Sequence, residues 1–203
     1  MSCRVAVCVS GGGSNLQALL DALQGEAPAR VVLVLSNRPD AGGLERARQA
    51  GVPAEVLSDP ADTTDWITRL GRRDVDLVVL AGYLKLVPPG VITKYRGRII
   101  NIHPALLPAF GGPGMYGRRV HEAVLASGAT ETGATVHLVD EEFDRGEILA
   151  QHRVPVLAGD TPESLAARVL EAEHRLLPAV VLAAARAGRP VPLTDTASPT
   201  GPE

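Results

Sequence analysis

The stretch I-I-N-I-H-P-A-L-L-P-A-F, Ile99 to Phe110, decides how the rest of the chain is read. β-Branched Ile99 and Ile100 lead through Asn101 and Ile102 to His103, and Pro104 ends the strand because it has no backbone N–H for a ladder. Side chains alternate along a strand, so Asn101 and His103 share one face at its C-terminal tip. In an open α/β sheet that tip is where ligands bind. An amide donates hydrogen bonds without titrating, whereas an imidazole donates and also moves a proton near neutral pH. Such a pair suits a reaction that builds negative charge on oxygen. The plainer alternative is that His103 caps a turn and Asn101 bonds to backbone.

Upstream, Val75 to Ala81 is almost continuously apolar, which predicts a central strand buried on both faces and ending at Gly82-Tyr83-Leu84-Lys85. Near the N-terminus, Val5 to Ser10 reads as a buried strand. Gly11-Gly12-Gly13 follows, then Ser14 and Asn15 as N-cap types, then a helix from Leu16 to Leu23. A strand, a glycine loop and a helix start aim free backbone N–H groups and the helix dipole at an anion, typically phosphate. The loop is no dinucleotide fingerprint, because its third glycine position is Leu16 and the strand Val31 to Leu35 ends in Ser36-Asn37 with no acid for a ribose. It lacks the Gly-Lys-Ser/Thr of a nucleotide-triphosphate loop, so one phosphate is expected rather than a pyrophosphate.

The remaining elements alternate between strand and helix. Leu44 to Ala50 is a short helix, Ala54 to Leu57 a brief strand, and Asp62 to Arg72 a polar helix carrying the sole tryptophan, Trp66. Beyond Phe110 lies a flexible loop, G-G-P-G-M-Y-G, and then a helix around His121 to Leu125. The strands Gly133 to Val139 and Ile148 to Val156 form an antiparallel pair, and His137 on the first of them receives no role. Between them is an acidic loop, Asp140 to Gly146; one of its carboxylates beside His103 would favour the charged ring and orient it. Thr161 and Pro162 open a long amphipathic helix, Leu165 to Ala187, in which Pro178 predicts a kink or short break. Nothing repeats internally. The pattern predicts one doubly wound, mostly parallel α/β sheet with helices on both faces and a C-terminal antiparallel strand pair. A single domain is expected over residues 1–190, with a disordered tail over 191–203.

Composition narrows the partners. The 203 residues suffice for one full core; 45% are hydrophobic but only 3% aromatic, so Val, Leu, Ala and Ile must build it. A net charge of −3 without a basic block argues against nucleic acid. Cys3 and Cys8 are five apart on one strand, hence on opposite faces, and read as small buried hydrophobes of a reducing cytoplasm rather than a disulfide. Neither a signal peptide nor a membrane-spanning run is expected.

With these motifs in hand, the chain resembles the phosphoribosylglycinamide formyltransferases, the folate-dependent formyltransferase family of purine synthesis and one-carbon metabolism. The resemblance runs from Val5 to about Pro190. It is carried by S-G-G-G-S-N-L-Q at Ser10 to Gln17, V-V-L-A-G-Y at 78–83, N-I-H-P-A-L-L-P at 101–108, F-D-R-G-E-I-L at 143–149, and Glu173-His174. The N-I-H-P motif is shared with methionyl-tRNA formyltransferases and formyltetrahydrofolate hydrolases, so a hydrolase or another formyltetrahydrofolate-dependent formyltransferase is the alternative. The glycine loop narrows the choice. So does length, since the tRNA enzymes carry an additional C-terminal domain.

The resemblance implies direct transfer of a formyl group from 10-formyltetrahydrofolate, as co-substrate and without a metal, to the amino group of 5'-phosphoribosylglycinamide. It assigns Asn101, His103 and Asp144 as the catalytic trio. It assigns Gly13, Ser14 and Asn15 to the substrate phosphate and Glu173 to the glycinamide ribonucleotide. Leu84, Lys85, Leu86 and Val87, together with Asp140, Glu141, Glu142, Phe143 and Asp144, match the segments that hold the folate's pterin through backbone groups, and Asn101 is a folate-binding position as well. Position 170 is Leu170, where some members carry a polar residue facing the ribose, and the loop Gly111 to Tyr116 is given no role. A cytoplasmic monomer or homodimer is expected, acting on small molecules and not on nucleic acid or membrane.

Overall fold

The computed structural model describes residues 2–193. Seven strands form one sheet in the order β3-β2-β1-β4-β5-β6-β7. β1 (Cys3–Val9), β2 (Ala29–Ser36), β3 (Ala54–Val56), β4 (Leu77–Leu80) and β5 (Ile99–His103) are parallel. β6 (Glu131–Leu138) runs antiparallel to β5, and β7 (Ile148–Pro155) antiparallel to β6. The α/β architecture with an antiparallel late pair thus has the form its residue pattern predicts.

Strand parity divides the core. Val5, Val7 and Val9 of β1 pack with Leu16 and Leu19 of α1 (Ser14–Ala22), Leu44 and Ala47 of α2 (Gly42–Gln49), and Leu176, Leu177 and Val180 of α6 (Pro162–Ala187). Ala6 and Cys8 point the other way, with Leu33, Leu35 and Val78, toward Trp66 and Leu70 of α3 (Thr63–Gly71) and Val91 and Ile92 of α4 (Pro89–Lys94). Cys8 is buried on that face while half-buried Cys3 packs against the opposite cluster, so both remain free thiols. A third cluster joins Val124 of α5 (Arg118–Ala126) to Val154, Leu165 and Val169. Each fully buried Val or Leu contributes about 1.5–3 kcal/mol.

The sheet changes winding direction between β1 and β4, and the loops leaving their C-terminal ends open a crevice there. Ser10 fastens that edge. Its amide donates to the Gly82 carbonyl (3.0 Å) and its hydroxyl to Asn37 Oδ1 (2.6 Å) while accepting from the Leu84 amide (2.9 Å). One serine so holds the tips of β1, β2 and β4 together.

Three sequence-based expectations change here, each in part. α6 is a continuous helix through Pro178, which is buried, so no break occurs; tertiary packing along the apolar face outweighs the lost N–H. Its start follows expectation, with Thr161 and Ser164 forming a reciprocal capping box and Pro162 at the first turn. α1, by contrast, is capped by Gly13 at φ 75° with no side-chain cap bond, although Ser14 and Asn15 are cap-type residues. Of the tail expected to be disordered over 191–203, Leu193 is tied down, its amide donating to the Leu149 carbonyl at 2.8 Å; residues 194–203 lie outside the described residues.

Candidate active site

Asn101 and His103 leave β5 on the same side, and the acidic loop returns Asp144 to them. Asn101 Nδ2 donates to Asp144 Oδ1 at 3.4 Å, and His103 Nδ1 lies 3.5 Å from Asp144 Oδ2. Asp144 adopts φ 57° and Phe110 φ 55°, left-handed conformations that cost on the order of 1 kcal/mol or more each. The strain serves the site. It turns Phe110 so that its carbonyl accepts from His103 Nε2 at 2.8 Å, and it turns the Asp144 carboxylate inward, where the Gly112 amide donates to Oδ2 at 2.9 Å. Gly146 allows this loop to close, because a Cβ there would lie 1.7 Å from the Leu138 carbonyl oxygen.

The charge state of the ring departs from the sequence-based expectation that Asp144 keeps His103 protonated. Burial pushes the His103 pKa below its ordinary value; Asp144 and the Phe110 carbonyl pull it upward without making up the difference. Both ring nitrogens nevertheless face acceptors, Phe110 O and Asp144 Oδ2, and only imidazolium can donate to both. The resting ring is therefore neutral at neutral pH and held where a proton would be welcomed once further negative charge develops. For Asp144, burial acts to raise the pKa, but His137, His103 and the Gly112 amide together bring it below the usual carboxylate value. It is ionised at neutral pH.

Residues that received no role complete this cluster. His137 stands directly across from Asn101 in the β5–β6 register. The Leu138 carbonyl can only accept, so His137 Nδ1 carries a proton toward it (2.8 Å), and Nε2 lies 3.0 Å from Asn101 Nδ2 and 3.5 Å from Asp144 Oδ1. The loop left without assignment, Gly111 to Tyr116, supplies the Gly112 bond and lines the cleft from Gly112 to Tyr116. Gly111 packs tightly: a Cβ there would lie 2.5 Å from Leu107 Cδ2 and 3.2 Å from Asp144 Cβ. His121, on α5, is buried against the same cleft, and its Nδ1 has no partner among the described residues. The signal for His137 was the register of β6 on β5, which periodicity alone does not carry.

Asn101, His103, Gly112, His121, His137 and Asp144 all line a single cleft of about 800 Å³. Leu84, Lys85, Leu86 and Val87 line it, as do Asp140, Glu142 and Phe143. Leu84, Leu86, Phe143 and Tyr116 keep much of their apolar surface exposed around it. Glu141 does not line it, and its side chain is exposed. Asn15, Leu170 and Glu173 also line the cleft. Asn15 Nδ2 donates to Glu173 Oε2 at 2.5 Å, and burial pushes the Glu173 pKa up to about 7. Gly13 and Ser14 precede Asn15 on the loop without lining the cleft themselves. The N–H groups of Gly11 through Leu16 donate to no backbone carbonyl among the described residues, leaving a row of donors at the start of α1. Among the described residues no group of three or more His, Cys, Asp or Glu is arranged to hold a metal ion, and no helix is long and apolar enough to cross a membrane.

Comparison with known proteins places this architecture. Residues 3–181 match the formyl transferase family. A chloroplastic phosphoribosylglycinamide formyltransferase of Arabidopsis thaliana is 49% identical over 186 residues, 88% of this chain and 64% of that protein. The chain thus spans less than two thirds of that relative's length. The phosphoribosylglycinamide formyltransferase of Escherichia coli is 40% identical, with 87% of this chain and 84% of that protein covered. Among solved structures, glycinamide ribonucleotide transformylase 1 of Symbiobacterium toebii superimposes with a TM-score of 0.85 at 43% identity, covering 96% of this chain and 95% of that one. With the fold, the motifs and these relatives in agreement, the chain belongs to the formyl transferase family, and within it to the phosphoribosylglycinamide formyltransferases.

Proposed function

We propose that this protein transfers the formyl group of 10-formyltetrahydrofolate to the amino group of 5'-phosphoribosylglycinamide, in de novo purine biosynthesis. The observation that carries the reading is that one cleft brings together the trio, an apolar wall over Leu84–Val87 and Phe143, and the Asn15–Glu173 pair beside a row of free amides. The wall suits the folate's fused rings, and the amides suit a phosphate. The relatives named phosphoribosylglycinamide formyltransferase support the same assignment. Free Cys3 and Cys8 favour a reducing compartment such as the cytoplasm, whereas the plant relatives are chloroplastic.

The chemistry follows from the groups present. The neutral amine attacks the formyl carbon, a C–N bond forms, and the carbonyl electron pair moves onto oxygen. Asn101 Nδ2 meets that oxyanion by giving up its long bond to Asp144, and His103 Nε2–H provides the second donor by giving up its bond to the Phe110 carbonyl. One such donor is worth about 2.7–4 kcal/mol. The growing negative charge raises the His103 proton affinity when the stronger, charged donor is most useful. The attacking nitrogen loses its proton to ionised Asp144, directly or through a water. Collapse re-forms the C=O bond and breaks the bond to folate N10, which takes the proton that Asp144 received from the amine, so the carboxylate is regenerated. Protons and electron pairs balance between the two substrates and these side chains.

The test measures tetrahydrofolate formed from 10-formyltetrahydrofolate with and without glycinamide ribonucleotide. Release dependent on the ribonucleotide, with formylated product, supports transfer. Equal release of formate to water in its absence would assign the site to a hydrolase instead.

A further inference from the structure

The glycine loop is held from behind by α2, and the holding is specific. The Gly43 amide donates to the Gly11 carbonyl at 3.0 Å, and Arg46 Nε donates to the Gly12 carbonyl at 2.7 Å. Arg46 Nη1 also reaches Gln17 Oε1 of α1 at 3.2 Å. The peptides of this loop are trans, so each N–H points opposite to the carbonyl of the same plane. With the carbonyls of Gly11 and Gly12 turned toward α2, the amides of Gly12 and Gly13 are turned away from it. Those amides belong to the row that finds no backbone acceptor. The approach is close: a Cβ on Gly13 would lie 2.6 Å from Gly43 Cα, and one on Gly43 would lie 2.8 Å from Val9 Cγ2.

Arg46 brings charge as well as shape. Among the described residues it makes no ion pair, while neighbouring Glu45 is taken up by Arg48 and Gln49. An uncancelled guanidinium so stands behind a helix N-terminus that is itself partly positive. A loop presenting amides to an anion gains from both effects, since each favours negative charge on its far side.

We propose that Arg46 is a positioning residue for recognition of the substrate's phosphate: it orients the Gly12–Gly13 peptide through the Gly12 carbonyl and adds its charge behind the loop. This rests on the assignment of a phosphorylated amine as substrate. Arg46 touches neither the reacting atoms nor the folate wall, so its effect is confined to ligands that carry the phosphate.

The test compares wild type, Arg46→Met and Arg46→Lys with two amines, glycinamide ribonucleotide and the same compound without its phosphate. Arg46→Met is expected to raise KM for the ribonucleotide by about tenfold or more, with kcat and the KM for 10-formyltetrahydrofolate within about twofold. Its kcat/KM for the dephosphorylated amine should stay within about twofold, and Arg46→Lys should recover most of the loss, because it keeps the charge and a donor. Equal losses on both amines, or no loss on either, would overturn the proposal. A parallel arm titrates inorganic phosphate while following the Gly12 and Gly13 amide resonances. They should move in wild type and much less in Arg46→Met; identical titrations in the two proteins would also overturn it. That arm needs no turnover. A wild-type enzyme inactive on the ribonucleotide would therefore count against the substrate assignment, and the amide titration would still decide the role of Arg46.

Discussion

The two ends of the cleft are built on opposite principles. At the glycine loop the binding groups are backbone amides, set by neighbouring peptides and by α2, and none of them titrates. At the trio and neighbouring His137 they are side chains from β5, β6 and the acidic loop, two of them imidazoles, around the Asp144 carboxylate. The first end is rigid by construction and recognises a constant charge. The second responds to charge, because His103 is held neutral by burial yet faces acceptors on both sides. A constant ligand group needs a fixed cradle; a charge that appears and vanishes during reaction needs groups able to change state.

The largest expected effect lies at the responsive end. His103→Ala should reduce turnover by about 10²–10⁴-fold while leaving both KM values within a few-fold, since its role is in the transition state. Steady-state kinetics on both substrates checks this, and a change confined to KM would move His103 into ground-state binding. At the rigid end, Gly13→Ala should chiefly cost stability. The residue sits at φ 75° and its Cβ would press on Gly43. A loss of about 1–3 kcal/mol in denaturant unfolding is expected, along with weaker ribonucleotide binding. An unchanged midpoint would show the loop to be more pliant than its close approach to α2 implies.

Glu173 lies between these behaviours, a titrating group beside the rigid loop. An unfolded glutamate releases its proton near the ordinary value of about 4.3, the folded one near 7. Between these values the folded state holds the extra proton, so Glu173 makes stability fall as pH rises toward 7, with no further loss well above it. Glu173→Gln should flatten that part of the stability–pH profile, as followed by thermal unfolding. An unaltered profile would mean that the carboxyl titrates normally. The smallest effect is expected at exposed Glu141, outside the cleft: Glu141→Gln should leave KM for the folate within about twofold.

What could be read from the sequence follows the same division. The strand ending at Pro104, the glycine loop and the capping box of α6 are local features, and their residues carry the instruction within a few positions. The order of strands across the sheet is not local. Asn101 meets His137 only because β6 lies antiparallel on β5, and Asp144 meets Gly112 only because two loops converge. The direction of the His103 shift was hidden for a related reason. A carboxylate neighbour is visible in a motif, whereas the depth of burial that outweighs it depends on the whole fold. Pro178 shows the reverse case, a strong local signal for a break overridden by an apolar face packed along most of its length.

The most direct test of the account is single-turnover formyl transfer by wild type and Asp144→Asn across about pH 5 to about pH 9, with His103 followed by NMR over the same range. The substitution keeps the shape but removes the negative charge that draws His103 upward and the acceptor for the amine's proton. Transfer should fall by about a hundredfold or more with both substrates still bound, and the His103 pKa, already below its ordinary value, should fall further. Wild-type rates in the mutant, or a His103 titration that does not move, would contradict the assignment of Asp144 as the charge partner and proton acceptor of this site.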